Sequence, residues 1–372
     1  MKMRTHLRHI LLFSLILLFI AASGGDSPAA GERGKNLHER LALYWHKLAD
    51  NIVNCVLCPN RCVIPDGKRG FCRVRTNRGG KLYTLVYGAP CAVHVDPIEK
   101  KPFYHVLPGS RSYSIATVGC NMGCVFCQNW QISQASPEEA ATFDLPPEKV
   151  VEEAIKARCD TIAFTYTEPT VFYEYMLDIA KEAKKRGVKC VMHSCGYINT
   201  EPLKELSKYL YAADIDLKGF SEAFYRKMGQ GHLQPVLESL KTLKGEGVWV
   251  EITNLVIPGE NDSPAEIKAM CQWIKENLGD EVPIHFSRFH PNFKLQNLPP
   301  TPVETLERAR DIAMGVGLKY VYVGNIPGHP GESTYCPNCK KTVVHRIGYN
   351  LLANNVVGGK CKFCGYEIKG QW

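Results

Sequence analysis

The stretch SYSIATVGCNMGCVFCQNW, residues 112–130, decides the fold, because a strand-like start runs straight into a loop carrying Cys120, Cys124 and Cys127. From there, short β-branched runs alternate with longer segments of 3.6-residue periodicity. TIAFTYT (161–167) reads as a second strand, followed by VKCVMHS, AADIDLK, GVWVEITNLVIPG, VPIHFSRFH and KYVYVGN, with helical patterns such as VFYEYMLDIAKEAKKRG between strands. Repeated βα units form a parallel sheet, and six to seven of them suit an open (β/α) barrel better than a two-layer sheet. The three thiols then lie at the C-terminal end of the first strand, the face on which barrel active sites are built.

Three thiolates can bind three irons of a 4Fe-4S cluster, which leaves the fourth iron open to a substrate. The spacing, with Phe126 before the third cysteine, resembles the radical S-adenosylmethionine (SAM) superfamily. That resemblance implies a barrel fold and a cluster that reductively cleaves SAM to a 5′-deoxyadenosyl radical. It also implies roles for further residues. Glu168, in TYTEPT after the second strand, would receive the SAM ammonium by a charge-assisted hydrogen bond. There Tyr166 and Thr167 replace the glycines the superfamily often has. Asp216 and Lys218 in DIDLK, and His290 in SRFHP, are similar to residues that glycyl-radical activating enzymes place near SAM.

Sixteen cysteines are present, and two more tight sets flank the loop. Cys336, Cys339, Cys361 and Cys364 form two CxxC knuckles 21 residues apart, the pattern of a four-thiolate zinc ribbon, with a rubredoxin-like iron site as the alternative. Cys55, Cys58, Cys62 and Cys72 in CVLCPNRCVIPDGKRGFC suit zinc or a second, closed 4Fe-4S cluster, and the spacing does not choose. Cys91, Cys159, Cys190, Cys195 and Cys271 read as small buried hydrophobes.

A chain of 372 residues with 45% apolar content can bury a sizeable core. Its net charge of +8 owes several cations to a short leader, so it gives no nucleic-acid footprint. The leader, residues 1–23, carries Lys2, Arg4 and Arg8 before the apolar run Ile10–Ala22, and reads as a signal peptide or membrane anchor. With no twin-arginine pair, retention at the membrane with cytoplasmic chemistry is expected, export after cleavage being the alternative. Residues 24–36 look like a linker, and LHERLALYWHKLAD from Leu37 reads as an amphipathic helix opening a Cys-rich segment, 37–112. The barrel is expected over 113–330. The tail, 331–372, reads as a separate zinc-ribbon-like domain.

The three cysteine sets, with DPIEKKPFYHVLPGS, CQNW and TYTEPT, resemble the radical SAM member of the AmmeMemoRadiSam system over nearly the whole body. That group is similar to pyruvate formate-lyase activating enzymes. The likeness implies a protein or other large partner as substrate, and an electron donor such as flavodoxin or ferredoxin. A small metabolite substrate is one alternative. A metal-ribbon binding or scaffold protein with an inactive barrel is another.

Overall fold

The computed structural model describes residues 39–372. Seven parallel strands make the central sheet in strictly sequential order: β1 Arg111–Ala116, β2 Thr161–Phe164, β3 Lys189–Ser194, β4 Ala212–Asp216, β5 Trp249–Val256, β6 Ile284–Arg288 and β7 Val321–Gly324. An eighth strand, Ala92–Pro97, adds antiparallel to β1. It and β7 are the sheet's two edges, so the barrel is open, as the alternation predicts. The crossovers are α1 Pro147–Lys156, α2 Tyr173–Lys185, α3 Thr200–Ser207, α4 Leu233–Gly245, α5 Pro264–Leu278 and α6 Val303–Val316. Their apolar faces, Val150 and Val151 on α1 or Ile267, Met270 and Ile274 on α5, pack with outward-facing strand residues such as Ile162, Ala213 and Ile252 in one buried core.

Inward-facing residues split along the barrel axis. At the N-terminal end, Ala163, Val191 and Ala212 meet Ile98, Phe103 and Val106 of the DPIEKKPFYHVLPGS segment, which plugs the floor. The buried Glu251 carboxylate on β5 accepts the Tyr104 and His105 backbone N–H groups at 3.1 and 2.9 Å. His285 Nε2 stands 2.8 Å from the same carboxylate. A plug seated on backbone donors leaves the opposite, C-terminal mouth for chemistry.

Two features depart from the periodicity. The segment from Leu37 is not a helix over its described part: Arg40–Leu41 pairs with Lys81–Thr84, and Trp45–Lys47 pairs with Val53–Cys55. Tyr44, Asp50 and Asn51 have positive φ, so the chain turns sharply where a helix would continue. Pairing with distant strands overrides local propensity here. The tail, for its part, is continuous with the barrel floor. Tyr104, Tyr320 and Tyr322 share a core with Cys336, Cys361 and Ile368. The buried Arg346 guanidinium donates to the Tyr104 carbonyl at 2.7 Å, and Leu107 N–H donates to the Gln371 carbonyl at 2.8 Å.

The expected leader lies outside the described residues. Among the described residues no helix is long and apolar enough to cross a membrane.

Candidate active site at the barrel mouth

The Cys120–Cys127 loop leaves β1 and is tied down on both sides. Gly123 N–H and Val125 N–H donate to the carbonyls of Gly229 and Met228 at 2.9 and 3.0 Å. Those carbonyls belong to a π-helical turn, Tyr225–Gly229, and such turns are frequent at functional sites. A Cβ at position 123 would lie 2.5 Å from Gln230 Oε1, so a larger residue there would have to displace the Gln230 side chain. Cys127 Sγ stands 3.2 Å from the Ser133 hydroxyl, and Met122 N–H donates to Cys120 Sγ at 3.4 Å. Burial pushes the Cys120 thiol well up, with the Glu168 charge adding to it, and pushes Cys124 up to about 11 against the pull of Lys218. Cys120, Glu168, Cys124 and Lys218 are therefore electrostatic neighbours.

Glu168 caps the short 3-10 turn Pro169–Phe172 and is almost fully buried. Its Oε1 accepts from Thr170 N–H (3.1 Å), the Thr170 hydroxyl (2.6 Å) and the Ser194 hydroxyl (2.7 Å), and Oε2 accepts from Cys195 N–H at 2.8 Å. Four donors hold the carboxylate in one orientation. Just before it, Tyr166 adopts φ +64°, the left-handed conformation glycine usually supplies. The Tyr166 hydroxyl donates to Asp96, and its carbonyl accepts from Asn129 Nδ2 of CQNW at 2.7 Å.

Across the mouth, Lys218 Nζ donates to Asp216 Oδ2 at 2.7 Å and lies 6.0 Å from the Phe126 ring. Burial opposes the Lys218 charge, yet Asp216 and the neighbouring Cys124 and Cys195 thiols hold its pKa well above the ordinary value. His193 Nδ1 meets Asp214 Oδ1 at 2.7 Å and Nε2 lies 3.7 Å from Asp216 Oδ1. Burial would discharge this imidazole, but the two carboxylates outweigh it and raise its pKa. His290 is exposed, two residues beyond β6. The mouth thus gathers Cys120, Cys124, Cys127, Phe126, Glu168, Asp216 and Lys218.

Ser194, Cys195 and His193 escape a motif reading. Their one sequence signal is position, since HSCG ends β3 at the same mouth. Cys195 is buried as a hydrophobe would be, with Sγ 3.8 Å from Asn121 Oδ1 in the thiol loop.

Far from the mouth, the tail thiols converge. Cys336 Sγ and Cys364 Sγ are 3.6 Å apart, Cys339 Sγ and Cys361 Sγ 3.7 Å, and all four lie within 4.8 Å of one another. A tetrahedral ion with metal–sulfur bonds of about 2.3 Å has sulfur–sulfur edges of about 3.8 Å. The donor set therefore fits a four-coordinate metal.

The family model of the radical SAM superfamily matches residues 114–274. An uncharacterized protein of Methanocaldococcus jannaschii is 47% identical over 331 residues, covering 88% of this chain and 98% of its own. A pyruvate formate-lyase-activating enzyme of Clostridium pasteurianum is 22% identical over 49% of this chain and 76% of its own. Among solved structures, a domain of a pyruvate-formate lyase-activating enzyme from Bacteroides vulgatus aligns with a TM-score of 0.40 at 17% identity, covering 44% of this chain and 99% of that one. With the thiol loop at the mouth of a parallel open barrel, the chain belongs to the radical SAM superfamily, a membership that implies a 4Fe-4S cluster and SAM as cofactors.

Proposed function

We propose that Cys120, Cys124 and Cys127 hold the cluster, and that the radical made from SAM abstracts hydrogen from a protein or other large partner, as in an activating enzyme of the AmmeMemoRadiSam group. The observation that carries the reading is the convergence of three buried or half-buried thiols with Glu168, Asp216 and Lys218 at one barrel mouth. The donor set fits: three soft sulfurs, two with hydrogen-bonding neighbours, and no fourth cysteine within the loop. When bound, the cluster supplies one electron, received from a donor such as flavodoxin or ferredoxin, that breaks the C5′–S bond of SAM.

The remaining work falls to side chains. Glu168, held by four donors, offers a fixed negative charge for the SAM ammonium. Lys218 balances the charge of ligating thiolates while Asp216 keeps it in place. Phe126 covers this pair from the loop side. His290 stands on the rim, exposed, where a bound cofactor or partner would meet it. In the tail, zinc at Cys336, Cys339, Cys361 and Cys364 would be structural, because four protein ligands leave no open position.

A macromolecular substrate is supported by the relatives that are activating enzymes. Hydrogen abstraction needs the target carbon held about 3–3.5 Å from C5′, so docking of the right partner should raise turnover above uncoupled SAM cleavage. Reconstituted enzyme is incubated with candidate proteins encoded by neighbouring genes and, separately, with a metabolite pool. Stimulation by one protein, with label transferred from it to 5′-deoxyadenosine, is expected. Transfer from the metabolite pool with no stimulation by any protein would establish the small-molecule reading instead. Metal binding with no SAM turnover under any condition would leave the scaffold reading.

A further inference from the structure

The first cysteine set is unused by the proposed reaction, yet it is built into the same region. Cys55 ends a short strand, Val53–Cys55, and Cys58 and Cys62 follow in the turn that leads to Val63–Ile64. Cys72 returns from the loop beyond. All four thiols line one partly open pocket, together with Arg75 and with Asn121 of the Cys120–Cys127 loop.

The geometry differs from that of the tail. Among the described residues, the tail thiols close to within 4.8 Å of one another, as a single ion requires, and no three of Cys55, Cys58, Cys62 and Cys72 do so. They surround a space. A cluster in which each thiolate takes a different iron needs that wider stance, whereas one zinc ion would draw the sulfurs together.

The surroundings suit thiolate ligands. Peptide N–H groups of Asn60, Phe71 and Val74 face the sulfurs of Cys58, Cys62 and Cys72, the Phe71 bond being 3.5 Å long. The buried Arg75 guanidinium lies 3.9 Å from Cys55 Sγ and is itself paired with buried Glu174. Hydrogen bonds to sulfur and a nearby cation are the means by which proteins tune iron–sulfur centres.

The two sites abut. Gly119, directly before Cys120, has φ +94°, and a Cβ there would lie 2.7 Å from the Cys72 carbonyl oxygen. Asn60 Nδ2 donates to the Asn121 carbonyl at 2.8 Å. No side chain fits between Cys72 and the strand end that carries Cys120.

We infer that Cys55, Cys58, Cys62 and Cys72 hold a second 4Fe-4S cluster, closed by four thiolates and packed against the catalytic loop. Its role as a neighbour rests on the proposed reading of Cys120, Cys124 and Cys127; its existence does not.

The test is iron, sulfide and zinc content after anaerobic reconstitution, with electron paramagnetic resonance of the reduced protein. Wild type should hold about eight irons and eight sulfides per chain, two clusters of four. The full chain carrying Cys120→Ala, Cys124→Ala and Cys127→Ala together should keep about four of each, with a reduced signal that SAM does not alter. Cys58→Ala with Cys62→Ala should also keep about four, with a signal that SAM does alter, and should lose the spin-coupling broadening of the fully reduced wild type. About four irons and two zinc ions in wild type, or loss of all iron in the triple variant while the double variant keeps its iron, would overturn the inference. Four irons in wild type that survive in the triple variant and vanish in the double would instead uphold this site and sink the reading of Cys120, Cys124 and Cys127.

Discussion

In the tail, four thiols converge from two knuckles until paired sulfurs stand 3.6 and 3.7 Å apart, whereas at the barrel mouth three thiols are spread along one loop between a π-helical turn and the Glu168 carboxylate that caps a 3-10 turn. Both regions are cysteine-rich, yet only the mouth couples its sulfurs to charge. Burial raises both thiols, with Lys218 pulling against it at Cys124 and Glu168 adding to it at Cys120, while in the tail Cys364 is pulled down to about 6 chiefly by the Tyr366 backbone N–H. Thiols that close on themselves need nothing further. The mouth thiols are surrounded by charged groups able to orient a ligand.

The largest effect expected from this contrast is at the mouth. Cys124→Ala should abolish SAM cleavage and lose the iron of that site while the tail metal stays, read by 5′-deoxyadenosine yield and zinc content. The converse variant, Cys361→Ala, should lose the zinc and expose the tail to proteolysis, because small zinc domains depend on the metal for their fold. Its mouth cluster should persist. Wild-type zinc content with unchanged protection of the tail would remove the zinc assignment.

The joint between the regions is the next target. Arg346 is buried beside the buried Glu99 carboxylate, 3.5 Å away, and donates to Tyr104 in the barrel floor. Arg346→Ala should cost about 3–5 kcal/mol, since it leaves Glu99 buried without its partner cation. Thermal unfolding checks it, and a loss confined to the tail would separate floor from ribbon.

How far the sequence foretells these regions depends on how local the determining forces are. Strand–helix alternation and the CxxxCxxC loop were legible because periodicity and spacing are local properties. Arg346, Trp372 and Gln371 join the floor through contacts with Tyr104 and His105 more than two hundred residues away, so the tail reads as separate although it packs in one cluster with Tyr104, Tyr320 and Tyr322 of the floor. The helix expected from Leu37 gave way to strand pairing with Lys81–Thr84 for the same reason. At the site, the place of Glu168 just after the second strand is legible from TYTEPT. The Ser194 hydroxyl and Cys195 N–H that hold it come from the next strand end, and no spacing rule links them.

Two smaller effects sharpen the electrostatic half of the contrast. Glu168→Gln should weaken SAM binding about 10–100-fold, the value of a charge-assisted hydrogen bond of about 1.5–3 kcal/mol, without displacing tail zinc. Equal affinity for SAM in the variant would rule out the ammonium contact. His193 has its pKa raised by Asp214 and Asp216, so its contribution to stability is complete below the unfolded value of about 6.5 and is lost as pH rises through the folded value. The stability difference between wild type and His193→Gln should therefore be largest at pH 6, of the order of 1 kcal/mol, and shrink in alkali. A difference that grows with pH would mean the imidazole is neutral in the folded protein.

The most direct test of the account is SAM cleavage by the reconstituted wild-type protein under strict anaerobiosis. With a low-potential reductant, 5′-deoxyadenosine and methionine should form together in equal amounts, and neither should form without reductant. Protein that carries its full complement of iron and sulfide, accepts an electron and leaves SAM intact would contradict the assignment of the barrel mouth.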